Sequence, residues 1–278
     1  MKGIVRADLH NHLRTGSYMP SGIFNQAIDV ARQRLESKGI FALVNFCDRR
    51  YEDFSHLKGY ERQDLGKALW VPQKEILVVK GQEVPTKSGH LLVLGLDSNI
   101  DLASGRTLED SIKEAREHDG IIILDHPTYK EGIFAGMPYE KIAEFAQKAE
   151  GIEVFNGEAE LYVPFITPKG ANESASRAYI QLFSNNGMGR NLGAVASSDG
   201  HSLRELATSY TELEFEDYSR LLNRSKINQE LREAIRVSRL KDLYCTPNKY
   251  RAFEHMVKLG ICLAAEKAGL KKLAWRLG

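Results

Sequence analysis

The stretch that decides the fold is GIVRADLHNH, residues 3–12. A short, β-branched run (3–7) leads without a break into Asp8-Leu9-His10-Asn11-His12. The apolar part reads as a buried strand. In the extended segment that follows, side chains two apart share a side, so the imidazoles of His10 and His12 point the same way. In parallel α/β folds, functional groups gather beyond the C-terminal ends of strands.

The same punctuation recurs along the chain. Further strands are expected at 39–46, 76–84, 90–96, 120–125, 151–156 and 192–198, with another over 209–219. Helical patterns over 23–39, 107–120 and 137–151 separate several of them. Strands buried on both faces and alternating with helices imply βαβ units and a mostly parallel sheet. About seven strands in roughly 200 residues favour a barrel over an open sheet. No G-x-G-x-x-G follows the first strand, and no P-loop sequence is present.

Polar residues concentrate where these strands stop. The second ends in Cys47-Asp48-Arg49-Arg50, and the third reaches Glu83, with His90 after a short polar turn. Later strands end in Asp125-His126, in Glu153 and Asn156, and in Asp199-Gly200-His201. Five of the eight histidines sit at such ends or beside the turns that join them, a distribution that core packing does not produce. Mixed imidazole and carboxylate groups match what a borderline divalent cation takes, with Zn, Mn and Fe equally suited.

Composition narrows the class further. Among 278 residues, 38 Lys and Arg balance 37 Asp and Glu, so no strong field demands a nucleic acid or membrane partner. The N-terminus lacks a signal-peptide pattern, no apolar run is long enough to span a bilayer, and Cys47, Cys245 and Cys262 are odd in number. These features are those of a cytoplasmic protein with reduced thiols. After about residue 217 the chain turns helix-like and richer in Lys and Arg. Residues 1–216 are therefore read as a barrel domain and 217–278 as a helical C-terminal region packed on it.

The ordered set DLHNH (8–12), CDRR (47–50), GQEVPTKSGHLLVLG (81–95), DHP (125–127), IEVFN (152–156) and SSDGH (197–201) resembles the PHP family, named for polymerase and histidinol phosphatase domains. LREAIRVSRL (231–240) is similar to the helix that closes such domains. The resemblance implies an α/β fold, a distorted (β/α)7 TIM-like barrel with a helical C-terminal extension, and hydrolysis of a phosphate ester by a metal-activated water. It implies that His10, His12, Glu83 and Asp199 hold one divalent ion, and that Glu83 bridges to a second bound by His90 and His126.

The family's third metal position departs from the pattern. Its T-D-H slot reads Cys47-Asp48-Arg49, and residues 13–18 read LRTGSY, without the usual ligand. Two ions are therefore expected, with a third left open, and Arg49 would place positive charge where that third ion sits. His201 remains, as a metal ligand or as the acid that protonates the leaving oxygen. Asp8, Asp48 and Asp125 would orient imidazoles through hydrogen bonds, or serve as turn caps. Arg14, Arg49, Arg50 and Lys130 are candidates for phosphate contacts. The expected substrate is a phosphorylated small molecule or nucleotide, with a nucleic-acid end as a further option. A metallo-amidohydrolase and a non-catalytic scaffold are the competing readings.

Overall fold

The structure is a computed structural model that describes residues 3–12, 21–44, 59–97, 99–130, 132–134, 137–160, 169–184, 191–246 and a few positions between 257 and 269. Eleven strands form one sheet. They are β1 (Gly3–Asp8), β2 (Ile40–Leu43), β3 (Gln63–Asp64), β4 (Ala68–Val71), β5 (Ile76–Thr86), β6 (Gly89–Leu94), β7 (Ile121–Leu124), β8 (Gly151–Asn156), β9 (Gly193–Ser197), β10 (Tyr210–Phe215) and β11 (Leu243–Tyr244). Nine follow the order β11-β10-β1-β2-β5-β6-β7-β8-β9 around a nearly closed barrel, with β3 and β4 as a side ribbon on β5. Helices α1 (Ser21–Leu35), α2 (Leu108–Glu117), α3 (Tyr139–Ala146), α4 (Ala171–Ser184) and α5 (Ile227–Val237) flank it. The fold is a distorted TIM-like barrel, as the motifs imply.

The sheet is less parallel than the alternation of elements suggests. The β1–β2, β2–β5, β7–β8 and β8–β9 pairs are parallel, whereas β5–β6, β6–β7, β1–β10 and β10–β11 are antiparallel. The cause lies in a tight turn. Thr86 pairs with Gly89, the Thr86 hydroxyl donates to the Gly89 carbonyl at 2.6 Å, and Gly89 takes a φ of 119°. A two-residue connection reverses the chain and leaves no room for a crossover helix. Because β6 runs backwards, its first residues lie at the same mouth as the last residues of β1 and β7.

Helix positions follow local chemistry. The Thr107 hydroxyl accepts from the Asp110 N–H at 3.2 Å and sets the start of α2. α3 is shorter than its sequence pattern, because Glu150 and Gly151 are drawn into the sheet edge instead. α4 was not anticipated. α5 buries Ile227, Leu231, Ala234 and Ile235 against the barrel core, an i, i+4, i+7, i+8 stripe. Among the described residues no helix is long and apolar enough to cross a membrane. Cys245 is a free thiol, and Cys47 and Cys262 lie outside the described residues.

Side chains bridge the gap between β9 and β10. The Thr211 hydroxyl accepts from the Ala196 N–H at 2.9 Å and donates to the Ala196 carbonyl at 3.2 Å. At the site end, the Ser198 hydroxyl accepts from the N–H groups of Thr208 and Ser209 at 2.8 and 3.0 Å. At the other end of β9, the Ser238 hydroxyl, just after α5, donates to the Ala194 carbonyl at 2.7 Å and ties that helix to the strand. Thr211→Val keeps the shape of the side chain and removes both bonds at the middle of this seam. It is expected to cost about 1–3 kcal/mol of stability, measured by denaturant unfolding.

Candidate metal centre

Loops at one mouth of the barrel are pinned so that side chains converge. The segment after β1 stays extended, with Asn11 bridged to Gly200 and the His12 N–H donating to the Gly200 carbonyl at 2.8 Å. Asp8 is fully buried and accepts from the N–H groups of Ser198 at 3.0 Å and Ala207 at 2.8 Å. Burial pushes its carboxyl up to about 6. It fastens the loop carrying Asp199 and His201 to β1, and so acts as a turn clamp, not as an orienter of an imidazole.

Four donor atoms then lie together. His10 Nε2 and His12 Nε2 are 3.1 Å apart, and each approaches Asp199 Oδ1, at 3.6 and 3.4 Å. His12 Nε2 is also 3.2 Å from Glu83 Oε2. Ligand bonds of about 2.0–2.2 Å give a tetrahedron with edges of about 3.3–3.6 Å. The four separations, 3.1–3.6 Å, are close to that size, with His12 common to three of them.

The other oxygen of Glu83 faces a second group. Glu83 Oε1 is 2.5 Å from His90 Nδ1 and 3.1 Å from His126 Nε2. Pairing of Pro85 with His90 across the hairpin sets Glu83 and His90 on one face of the ribbon. Asp125 adjoins this group, and His201 adjoins Asp199 and His12 on the opposite side. His201 Nδ1 lies 2.9 Å from the Asp199 carbonyl and 3.5 Å from Glu158 Oε2.

The donors fit a divalent cation on two observations. Asp199 Oδ1 is buried without a hydrogen bond, an arrangement that costs free energy unless a cation or another partner offsets it. His126 and Asp199 also hold positive φ values of 23° and 45°, strain that the surrounding structure sustains at a functional site.

Protonation shows the same demand for positive charge. Burial opposes a charged His126, but Asp125 and Glu83 outweigh it and raise its pKa to about 10. Burial likewise opposes a charged His10, yet Asp199 and Glu153 carry its pKa well above the ordinary range. Burial, then the charge of Asp199, pushes Glu158 up to about 8. Protons on the two imidazoles supply positive charge beside the buried carboxylates, and a proton on Glu158 removes negative charge.

Glu153 organises the floor of the site. Its carboxylate, buried beneath His10, lies 3.0 Å from His10 Nδ1 and accepts from the His126 N–H and the Asn156 amide at 2.9 Å each, and from the Ser197 hydroxyl. A proton on Nδ1 leaves His10 Nε2 to face the cation. Asn156 extends the link by donating to Asp199 Oδ2 at 3.0 Å.

Of the residues expected from sequence, His10, His12, Glu83, His90, His126, Asp199 and His201 come together. Arg14, Asp48, Arg49 and Arg50 lie outside the described residues. Lys130 is exposed and is not among the residues lining the cavity over the site. That cavity, about 120 Å3 between its described walls, is lined by His12, Glu83, His90, His126, Tyr129, Glu158, Asp199 and His201. Sequence reasoning gave Glu153 no role, although it sits in the IEVFN motif, and passed over Glu158, whose only signal was its place just beyond a strand end.

No sequence-family profile and no curated protein matches the chain. Solved structures do. A two-domain protein from Bacteroides vulgatus ATCC 8482, containing a predicted PHP-like metal-dependent phosphoesterase, aligns with a TM-score of 0.51 at 17% identity, covering 91% of this chain and 69% of that one. The lesion-specific endonuclease PfuEndoQ from Pyrococcus furiosus aligns with a TM-score of 0.53 at 14% identity, over 84% of this chain. The alignment spans only 56% of the endonuclease. At these identities the likeness is one of fold, and that fold is the one the motifs resemble.

Imidazoles must be neutral to bind a metal, so uptake of ions should release protons and strengthen as pH rises toward about 10, where His126 titrates. Calorimetry in buffers of differing ionisation enthalpy measures this. In the metal-free protein the sign reverses: the His126 contribution to stability is complete below the ordinary 6.5 and is lost as pH rises through about 10. Glu153→Gln, which removes the charge and turns one of the two acceptor oxygens into an amide donor facing groups that already donate, should weaken metal binding about 10–100-fold in a chelator competition.

Proposed function

We propose that the chain is a PHP-type metal-dependent phosphoesterase whose centre holds two divalent ions. The observation that carries this reading is Glu83, which turns one carboxylate oxygen to each of two groups of imidazoles. His10, His12, Glu83 and Asp199 would hold the first ion, and Glu83, His90 and His126 the second. Zn, Mn and Fe all suit such mixed nitrogen and oxygen donors. When bound, two ions sharing a carboxylate supply an activated water and charge stabilisation at a phosphoryl group.

The chain's own residues do the remaining work. Glu153 holds a proton on His10 Nδ1, and Asn156 orients Asp199. His201, at the cavity wall with Glu158, is placed to hand a proton to a leaving oxygen. Arg14, Arg49, Arg50 and Lys130 are the proposed phosphate contacts, with Arg49 in the altered third position beside Asp48. The substrate is proposed to be a phosphorylated small molecule or nucleotide, and the endonuclease that shares the fold adds nucleic acid to the substrates to be assayed. The proposed boundary sets the barrel at 1–216 and a packed C-terminal region at 217–278.

Elemental analysis of the purified protein, followed by assays with p-nitrophenyl phosphate and bis(p-nitrophenyl) phosphate, tests the proposal. Bound divalent metal and turnover are expected. His10→Ala should lower turnover by about 1,000-fold or more, the loss of about 4 kcal/mol of transition-state stabilisation. Protein that binds no metal, or activity indifferent to this substitution, overturns the reading.

A further inference from the structure

Asp125 is a fully buried carboxylate at the mouth of the barrel, outside the donors assigned to the two-ion centre. It directly follows β7, and its side chain is completely enclosed. Neither oxygen makes a hydrogen bond, so it caps no turn and orients no imidazole. A buried carboxylate without donors is costly, and its oxygens call for a partner that supplies positive charge.

The backbone shows where that partner would sit. Consecutive residues of an extended chain point to opposite sides. Asp125 and His126 do not, because His126 takes a φ of 23°, in the left-handed region. That twist brings Asp125 Oδ2 to 3.6 Å from His126 Nε2, which is itself 3.1 Å from Glu83 Oε1. Glu83, His90, Asp125 and His126 thus each place a donor atom within 4.8 Å of the others.

From this geometry we infer that Asp125 is the fourth protein ligand of the second ion, forming with His126 a chelating pair of adjacent residues. The inference rests on the two-ion centre proposed above. It gives the two sites the same composition: two imidazoles, one oxygen of Glu83 and one terminal aspartate, Asp199 in the first and Asp125 in the second. The three ligand carboxylates would offset three of the four charges of two divalent ions. The strain at His126 then has a purpose, since a relaxed strand would turn one of the two donors away.

The test uses the full chain, stripped of metal and dialysed against Mn2+ at rising concentration with elemental analysis. Wild type should take up two ions. Asp125→Asn should keep the first and lose more than about 100-fold in affinity for the second, beyond the about 10–100-fold expected when an outer partner is removed. Asp125→Cys supplies a second, spectroscopic readout, because thiolate is a soft ligand. Titrated with Cd2+, it should show a thiolate-to-metal absorption beyond that of wild type, which carries Cys47, Cys245 and Cys262, while its affinity for Mn2+ falls like that of Asp125→Asn. Two Mn2+ ions held by Asp125→Asn with a loss of about 100-fold or less, or no added absorption in the cysteine variant, overturns the assignment of Asp125 alone. A wild type that binds no ion overturns the centre itself.

Discussion

Everything at the mouth of this barrel depends on one carboxylate being shared. Glu83 faces His12 with one oxygen and His90 and His126 with the other, so two clusters on opposite arcs of the sheet become one centre. In the proposed two-ion centre a shared anion would bring two cations close while offsetting their repulsion, and a fixed side chain would set the spacing. The hairpin β5–β6 fixes it: Glu83 and His90 ride on a single ribbon whose turn is closed by the Thr86 hydroxyl.

Around Glu83 the protein accepts unfavourable local terms. Asp8, Asp125, Glu153 and Asp199 are all buried, and two of the donor residues sit on left-handed backbone. Such features persist only where neighbouring structure over-determines them. Here that structure is a net of hydrogen bonds centred on Glu153, which ties the ends of β1, β7, β8 and β9 together. The fold supplies rigidity, and the net uses it to hold the donors in place.

The sequence made part of this legible. His10 and His12 could be placed on one side of an extended segment because period-two alternation is a local rule, and the strand ends that follow form a recognisable ordered set. Asp125 and His126 violate that same rule, so alternation alone separates two residues that the twist at His126 brings together. Glu153 was hidden for another reason. Its partners, His10 and Ser197, lie 143 and 44 residues away, and no local pattern reports such a contact. The hydroxyl seam between β9 and β10 was equally invisible, since it depends on how the sheet closes.

That closure also dictates when the centre can exist. β1 carries its histidines at the very start of the described chain, yet it pairs with β10, and Asp8 reaches Ser198 and Ala207 across 190 and 199 residues. During synthesis at about 5–20 residues per second, the first strand waits roughly 10–40 s for its partners to leave the ribosome. Until then His10 and His12 are two imidazoles on an unpaired segment, with Asp199 not yet made. Metal capture is thus a late event in the life of the nascent chain, postponed until the barrel has nearly all its staves.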